Sequence, residues 1–279
     1  MNVKINHKKT CSSCNKVSGL EIYFRNHYNV SMLILAKEHM NNSALTEYII
    51  PPDITCVGEW AFARCRNLKS IHIPAGCAIS NRAFENCPSL SEVYIYHDSP
   101  DEPAAGYPHL LALALRTWDR EAAVLIDNAA APDSFTDYFD SRLRRYINTP
   151  DDGGFDPFLA GGEEDYDNTT ALNDHIRDVR MAKAELIYER LSITAPITED
   201  LRSVLMDRLI MHNPEISFAV LSPPSDHNES YRNLYFELGL NKLTDTGTLL
   251  KIAGKDTRLR AMILDHNQGS DSVIDKMML

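Results

Sequence analysis

The sequence of 279 residues has no long run of apolar residues and no excess of positive charge. No stretch approaches the roughly 18 apolar residues of a membrane-spanning helix, so no membrane segment is predicted. The first twenty residues contain Lys, His, Asn and Cys where a secretory signal would place its apolar core, which predicts a cytoplasmic protein. The net charge of −11 argues against nucleic acid and anionic lipid as partners.

Motifs of the common catalytic classes are lacking as well. The sequence contains no G-x-S-x-G elbow, no H-E-x-x-H pair, no Walker loop and no Rossmann fingerprint. The ten histidines are scattered along the chain, which is typical of surface or structural histidines. We therefore predict that the protein is not an enzyme and uses no cofactor.

What the sequence does contain is a repeat, in "WAFARCRNLKSIHIPAGCAISNRAFENCPSLSEVYIY" at residues 60–96. Ala-Phe, Cys, Leu and two β-branched residues return at an interval of 22 residues. Strand-like triplets alternate with a Pro-containing turn and a short helical piece predicted around Ala-Phe. A period in the twenties with one strand per repeat is typical of leucine-rich-repeat solenoids.

The residues resemble the BspA-type leucine-rich repeats of bacteria and some protists, whose pattern is "I-x-I-P-x-x-V-x-x-I-G-x-x-A-F-x-x-C-x-x-L". Residues 49–68 match this pattern almost position by position, and residues 71–90 match with one residue missing before Asn81. A third, upstream repeat keeps Leu45 and its strand but lacks Ala-Phe and Cys. The resemblance implies that Cys65 and Cys87 are buried packing residues, with a disulfide between stacked repeats as the alternative.

Helical spacing of apolar residues begins after a proline-rich boundary near residues 97–109. Residues 110–128 align without gaps on residues 249–267, and both segments predict two helices with a polar break. This pattern looks like stacked ankyrin-like hairpins, although the Thr-Pro-Leu-His motif is lacking. The segment from "FDPFLAGG" onward also resembles helical regions that accompany BspA-type repeats in gut Firmicutes proteins of unknown function.

The predicted fold class is therefore an α/β repeat protein, a short leucine-rich-repeat solenoid followed by a helical hairpin-repeat domain. Residues 1–44 form an N-terminal segment, either a cap or a degenerate repeat, and residues 45–98 form the repeats. Residues 108–279 form the helical region with an acidic loop at 150–170. Because two or three repeats cannot cover both ends of their own core, the helical region is predicted to cap one end.

Cys11 and Cys14 form the one C-x-x-C spacing, and His7 stands nearby as a third donor. Two thiolates at this spacing can bind one face of a tetrahedral zinc ion, but the chain offers no second C-x-x-C or H-x3-H to complete the site. Redox chemistry would need a strand-to-helix context that the polar flanks do not indicate. A polar terminus without metal is favoured, with a zinc- or redox-responsive protein as the alternative.

The acidic stretch at 151–167 holds seven carboxylates but lacks the spacing of a calcium loop. A solvated loop is favoured over a docking strip for a basic partner.

Strand alternation places His72, Glu92, Tyr94 and Tyr96 on the outward face of the repeats, as candidates for contact with a partner. For Tyr94 and Tyr96, which adjoin the boundary, packing under the helical region is slightly favoured over contact with a partner. The predicted function is a non-catalytic protein–protein interaction or scaffold module, and a cell-surface adhesin is a further alternative. The sequence does not indicate an oligomeric state.

Overall fold

The structure is a computed structural model and describes residues 6–7, 20–23, 32–35, 39–101, 106–155, 168–211, 214–222 and 228–277. The chain divides into two compact units, Met1–Phe139 and Asp140–Leu279. The domain boundaries expected at residues 44, 98 and 108 stay predictions.

The first unit contains two sheets. Its strands are β1 Asn6–His7, β2 Leu20–Tyr23, β3 Met32–Leu35, β4 Glu47–Ile49, β5 Cys56–Val57, β6 Ser70–Pro74, β7 Ala78–Ile79 and β8 Glu92–Tyr96. One sheet has the order β1-β2-β3-β5-β7, antiparallel from β1 to β3 and parallel from β3 to β7. The other sheet, β4-β6-β8, is parallel throughout.

The register of the parallel strands follows the repeat in the sequence. Ser70 aligns with Glu92 and Cys56 aligns with Ala78, in each case 22 residues along the chain. Within β6 the side chains of Ile71 and Ile73 are fully buried, whereas His72 between them is half-buried. The alternation expected of a half-buried strand is therefore confirmed.

The repeated apolar positions fill the interior, as predicted. Phe62 and Leu68 are fully buried, and Phe84 and Leu90 occupy the equivalent positions of the next repeat. The rings of Phe62 and Phe84 are stacked with centroids 5.5 Å apart. Burial of each such aromatic side chain contributes about 2–3 kcal/mol, so the repeats are stabilised mainly by this column of side chains.

The Ala-Phe segments are turns, and the short helix predicted there is wrong. Non-glycine residues at four of their positions adopt a left-handed backbone with φ between 57° and 61°: Trp60, Arg64, Arg82 and Asn86. A left-handed residue interrupts a right-handed helix. The freed amides bond to the following repeat instead, from Phe62 N to Ala83 O at 2.9 Å and from Arg64 N to Glu85 O at 2.7 Å.

His39 takes the place of the repeated phenylalanine one repeat upstream. Its ring stacks on Phe62 with centroids 5.3 Å apart and lies 4.6 Å from the ring of Tyr48. Asn41, two residues later, repeats the left-handed backbone with φ 63°. The upstream repeat that was predicted to lack Ala-Phe therefore keeps the same geometry with a different ring.

Helices α1 Pro108–Thr117 and α2 Ala122–Ala129 follow the last repeat, joined by a 3-10 turn at Asp119–Glu121. Arg82 N donates to Asp119 O at 3.1 Å, and His109 Nδ1 donates to Ser91 O at 2.7 Å, so two bonds tie the last repeat to the helix pair. Within this unit the helix pair thus covers the end of the repeats.

Helix α3 Pro132–Ile147 begins in the first unit and ends in the second, and the regular secondary structure described in the second unit is helical. Its further helices are α4 Asn168–Ser192, α5 Glu199–Met211, α6 Pro214–Ala219, α7 Asn228–Glu237, α8 Thr246–Ala253 and α9 Thr257–Met277. The predicted helix start after Thr198 is confirmed, because Leu201 N donates to Thr198 Oγ1.

A fully buried arginine joins the first helices of this unit. Arg190 on α4 donates to both carboxylate oxygens of Asp140 on α3, at 2.5 and 2.9 Å, and to the carbonyls of Ala195 and Pro196. The charge of the buried Arg190 is thus paired with that of Asp140, and pairing is the condition under which a buried ion is tolerated.

The side chain of the first residue of the acidic stretch is largely buried, whereas a solvated loop was predicted. Asp151 is only 9% exposed and accepts hydrogen bonds from Arg180 and Lys183 on α4. The favoured interpretation is therefore wrong for Asp151, because cations on α4 draw this carboxylate out of solvent. Residues 156–167 of the stretch lie outside the described residues.

Among the described residues, no helix is both long enough and apolar enough to cross a membrane.

Candidate functional site

The parallel sheet β4-β6-β8 presents two rows of side chains on its outward side. One row consists of Glu47, Ser70 and Glu92, and the other of Ile49, His72 and Tyr94. Glu47 and Ile49 are exposed, and the other four are half-buried. We call these six residues the exposed face. The strand register aligns the rows, so the repeat itself fixes their spacing at about 4.8 Å from strand to strand.

His72 lies at the centre of the exposed face. Its Nδ1 is 3.2 Å from the carbonyl oxygen of Pro100, which can only accept, so Nδ1 carries the proton. Its ring lies 4.7 Å from the ring of Tyr94, and Nε2 is 3.9 Å from a carboxylate oxygen of Glu47. The imidazole is thus held in one orientation, with one nitrogen turned to the acidic row.

Tyr94 carries the aromatic character of the face. Burial raises the pKa of its phenol, and the nearby carboxylates of Glu92 and Glu47 raise it further. The hydroxyl therefore stays protonated and neutral at physiological pH. Its proton is engaged by a hydrogen bond to Glu92, so its oxygen is left to accept from a donor on a partner.

An apolar groove continues the face beyond Tyr94. The groove is shallow and open to solvent, and its further lining is Val93, Ile95, Gly106, Tyr107, Pro108, Leu111, Ala129 and Phe135. Its aromatic and aliphatic walls add apolar surface beside the neutral tyrosine, against which an apolar side chain of a partner can pack.

Tyr96 was a candidate for partner contact, but it does not belong to the exposed face. It is fully buried, and its hydroxyl donates to the carbonyl of Ile50. The phenol reaches back across the sheet and satisfies a buried backbone acceptor, which makes it a structural group. His72, Glu92 and Tyr94 do lie together, and their role in partner binding stays a prediction.

Three members of the face were missed from the sequence: the acidic Glu47, the apolar Ile49 and the polar Ser70. Glu47 and Ile49 on β4 align with Ser70 and His72. The signal was present in "EYIIP", whose alternation precedes that of "SIHIP" by 23 residues, but the irregular upstream repeat obscured it.

The cysteines of the repeat are free thiols with a structural role, as predicted. Cys65 Sγ donates to the carbonyl of His39 at 2.9 Å, and Cys87 Sγ donates to the carbonyl of Phe62 at 3.1 Å. Each thiol therefore bonds to the preceding repeat. Burial raises the pKa of Cys87 to about 12, so it stays protonated and can keep donating.

The metal hypothesis concerns residues that the structure does not describe. Cys11 and Cys14 lie outside the described residues. In the described parts of the chain, no group of three or more His, Cys, Asp or Glu side chains is placed to hold a metal ion.

The comparison with protein families agrees with the repeat geometry. The family model described as "BspA type Leucine rich repeat region (6 copies)" matches residues 11–100. These residues are similar to BspA-type leucine-rich repeats. The match begins upstream of residue 45, where the repeats were expected to start, and ends near the expected residue 98. No curated protein matches the chain. No solved structure matches it either.

Proposed function

We propose that the chain is a non-catalytic protein–protein interaction module in which the exposed face binds a segment of another protein. Leucine-rich repeats generally mediate binding between proteins or adhesion, and residues 11–100 are similar to such repeats. The observation that carries the proposal is the alignment of an acidic row beside an apolar and aromatic row on one sheet face. Location in the cytoplasm and a bacterial origin belong to the proposal as well.

The architecture proposed for this role is a short solenoid followed by ankyrin-like helical hairpins. The bonds from repeat to repeat support the solenoid, because each amide donates to the next turn of the chain. Helix α6 packs on α8, and α8 packs on α9, which supports a stack of short helices.

The chemistry of the face defines the partner. Glu47 and Glu92 supply negative charge at the edge, and Ile49, Tyr94 and the groove supply apolar surface. The complementary segment carries a Lys or Arg next to a large apolar side chain. The cation pairs with the acidic row, and the apolar side chain packs against Ile49, Tyr94 and the walls of the groove.

The size of the face limits the strength of binding. Two rows across three strands cover on the order of 200 Å², from the strand spacing and the rise per residue. A stable interface uses about 800 Å² on each partner. The contact is therefore with a short linear segment and is transient, unless further parts of the chain contribute.

Site-specific photo-crosslinking tests this proposal, because it traps transient contacts. A photoreactive phenylalanine analogue at Tyr94 is expected to crosslink a discrete partner in native lysate, and Glu47→Lys is expected to reduce the yield strongly. The matched control is Glu59→Lys, at an exposed position outside the face. Equal yields in the Glu47 and Glu59 variants would contradict the proposed site.

A further inference from the structure

Three cations of the second unit gather around one carboxylate. Lys183 Nζ donates to Asp151 Oδ1 at 2.7 Å and to the carbonyl of Thr149 at 2.6 Å. Arg180 Nε donates to Asp151 Oδ2 at 2.7 Å, and a terminal nitrogen of Arg208 lies 3.9 Å from Oδ1. Two helices supply these cations, since Arg180 and Lys183 lie on α4 and Arg208 lies on α5.

The charges in this cluster do not balance. Three cationic side chains face the single carboxylate of Asp151, which leaves a formal excess of two positive charges. The chain as a whole has a net charge of −11, so the excess is a local feature and not a property of the surface at large. An excess of this kind in a partly buried place lowers stability unless an anion compensates it.

Arg208 is the cation with the poorest compensation. Its Nε is buried and has no hydrogen-bond partner among the described residues, and 3.9 Å to Asp151 is too long for a hydrogen bond. Burial lowers the pKa of its guanidinium, and the positive charge of Arg180 lowers it further against the opposing effect of Asp151. Arg180 uses only Nε toward Asp151 in the described contacts, which leaves its terminal amino groups for another acceptor.

The cluster opens into a notch that solvent can reach. The notch is lined by Asp151, Arg180, Lys183, Arg208 and the side chains of Ala184, Ile187, Leu209, Ile216 and Ser217. Arg180 is 35% exposed and Arg208 is 20% exposed, whereas Lys183 is only 4% exposed. The two arginines are therefore the groups that an incoming ligand meets first. The aliphatic walls lower the local dielectric constant and strengthen any charge interaction there.

We propose that an oxyanion of the phosphate class binds at the solvent-exposed mouth of this notch, between the guanidinium groups of Arg180 and Arg208. Two uncompensated positive charges match a phosphate, which carries −1.5 to −2 at neutral pH, better than a carboxylate with a single charge. The fork of each guanidinium donates to two oxygens of such an anion. Asp151 and Lys183 position the arginines from below and remain paired with each other. The site lies in the second unit and is independent of the exposed face.

Titration calorimetry of the full chain with inorganic phosphate tests the proposal. Wild-type protein is expected to bind one phosphate, and Arg208→Gln is expected to weaken binding by about tenfold or more, because a charge-assisted contact is lost. The matched control is Arg202→Gln, on the same helix but outside the notch, which is expected to bind like the wild type. Circular dichroism at 222 nm confirms that each variant is folded.

The choice of ligands separates the sources of the anion. Binding of N-acetyl-phosphoserine amide more tightly than inorganic phosphate would support a phosphorylated partner, and equal binding would support a free phosphate. Acetate at matched ionic strength is expected to bind at least about tenfold more weakly, because it carries half the charge. Equal affinity for acetate and phosphate, or equal phosphate affinity of Arg208→Gln and wild type, would overturn the proposal. The photo-crosslinking yield at Tyr94 does not depend on either result.

Discussion

Replacement of His39 by phenylalanine should stabilise the first unit. The ring of His39 continues the column of Phe62 and Phe84, with centroid separations of 5.3 and 5.5 Å and interplanar angles of 8° and 12°. Because the stacking distances are nearly equal, the site is shaped for a phenyl ring. In His39 the Nε2 atom is buried without a hydrogen-bond partner among the described residues.

The size of the effect follows from two opposing contributions. An unsatisfied buried nitrogen costs about 1–3 kcal/mol, which His39→Phe recovers. A slightly larger ring costs part of this gain through tighter packing, since overpacked cores lose about 1–3 kcal/mol. His39 is 8% exposed, so the larger ring can shift slightly toward solvent, and the packing cost lies at the low end of that range. The net expectation is a gain of about 1 kcal/mol in the free energy of unfolding at pH 7.5.

The same substitution should remove a pH dependence. Burial lowers the pKa of His39 below its ordinary value of 6.5, so the unfolded chain binds a proton more readily than the folded chain. Stability from the neutral ring is therefore present above pH 6.5 and is lost as the pH falls toward the folded pKa. Between pH 7.5 and 5.5 this one group lowers the free energy of unfolding by at most about 1.4 kcal/mol.

Tryptophan fluorescence during urea unfolding isolates the first unit, because both tryptophans of the chain, Trp60 and Trp118, lie in it. The difference between His39→Phe and wild type should grow as the pH is lowered from 7.5 to 5.5. His97→Gln, at an exposed histidine, serves as the control and should leave the pH dependence unchanged. A variant less stable than wild type at pH 7.5, or one with the same pH dependence, would refute the reasoning.

Other substitutions and reagents test the remaining contacts. Arg64→Gly should raise the free energy of unfolding, measured by tryptophan fluorescence in urea, by about 0.5–1 kcal/mol, because glycine adopts φ 61° without strain; a lower urea midpoint would contradict this. Cys87, with its pKa raised to about 12, should remain unmodified by iodoacetamide at pH 8 in the folded protein, and peptide mass spectrometry would reveal any labelling. Tyr96→Phe should cost about 1 kcal/mol through the lost bond to a buried carbonyl, and an unchanged fluorescence midpoint would argue against that bond. Asp151→Ala should destabilise the second unit by about 3 kcal/mol, because Lys183 is left buried and unpaired, and circular dichroism at 222 nm measures it.

The repeated part of the fold could be predicted because equivalent residues of successive repeats occupy equivalent places in the core. Phe62 and Phe84, and likewise Cys65 and Cys87, recur since each repeat packs on the next with the same side chains. The interval also predicts the strand register, and with it three of the six residues of the exposed face: His72, Glu92 and Tyr94. His39 was not predicted as a member of the column because a histidine is not expected at an apolar position. It lies 23 residues before Phe62, which is close to the repeat interval of 22 residues.

The parts that could not be predicted depend on contacts distant in sequence. Tyr96 has the alternation of an outward residue, but a carbonyl 46 residues upstream draws its hydroxyl inward. Asp151 lies in an acidic stretch that is typical of a solvated loop, yet cations 29 and 32 residues later bury it. A pattern within one segment does not contain the identity of such partners.

The bond from Arg82 N to Asp119 O has a consequence for how this protein could change in length. Backbone amides join each repeat to the next, and in the last repeat Arg82 N donates to a carbonyl of the helix pair. The acceptor is a backbone atom, so it imposes no demand on the side chains of the repeat before it. Insertion of a further 22-residue unit upstream of the last repeat would leave both Arg82 and Asp119 in place. Gene duplication within the repeats is therefore structurally inexpensive, and the helix pair acts as a fixed terminus for arrays of variable length.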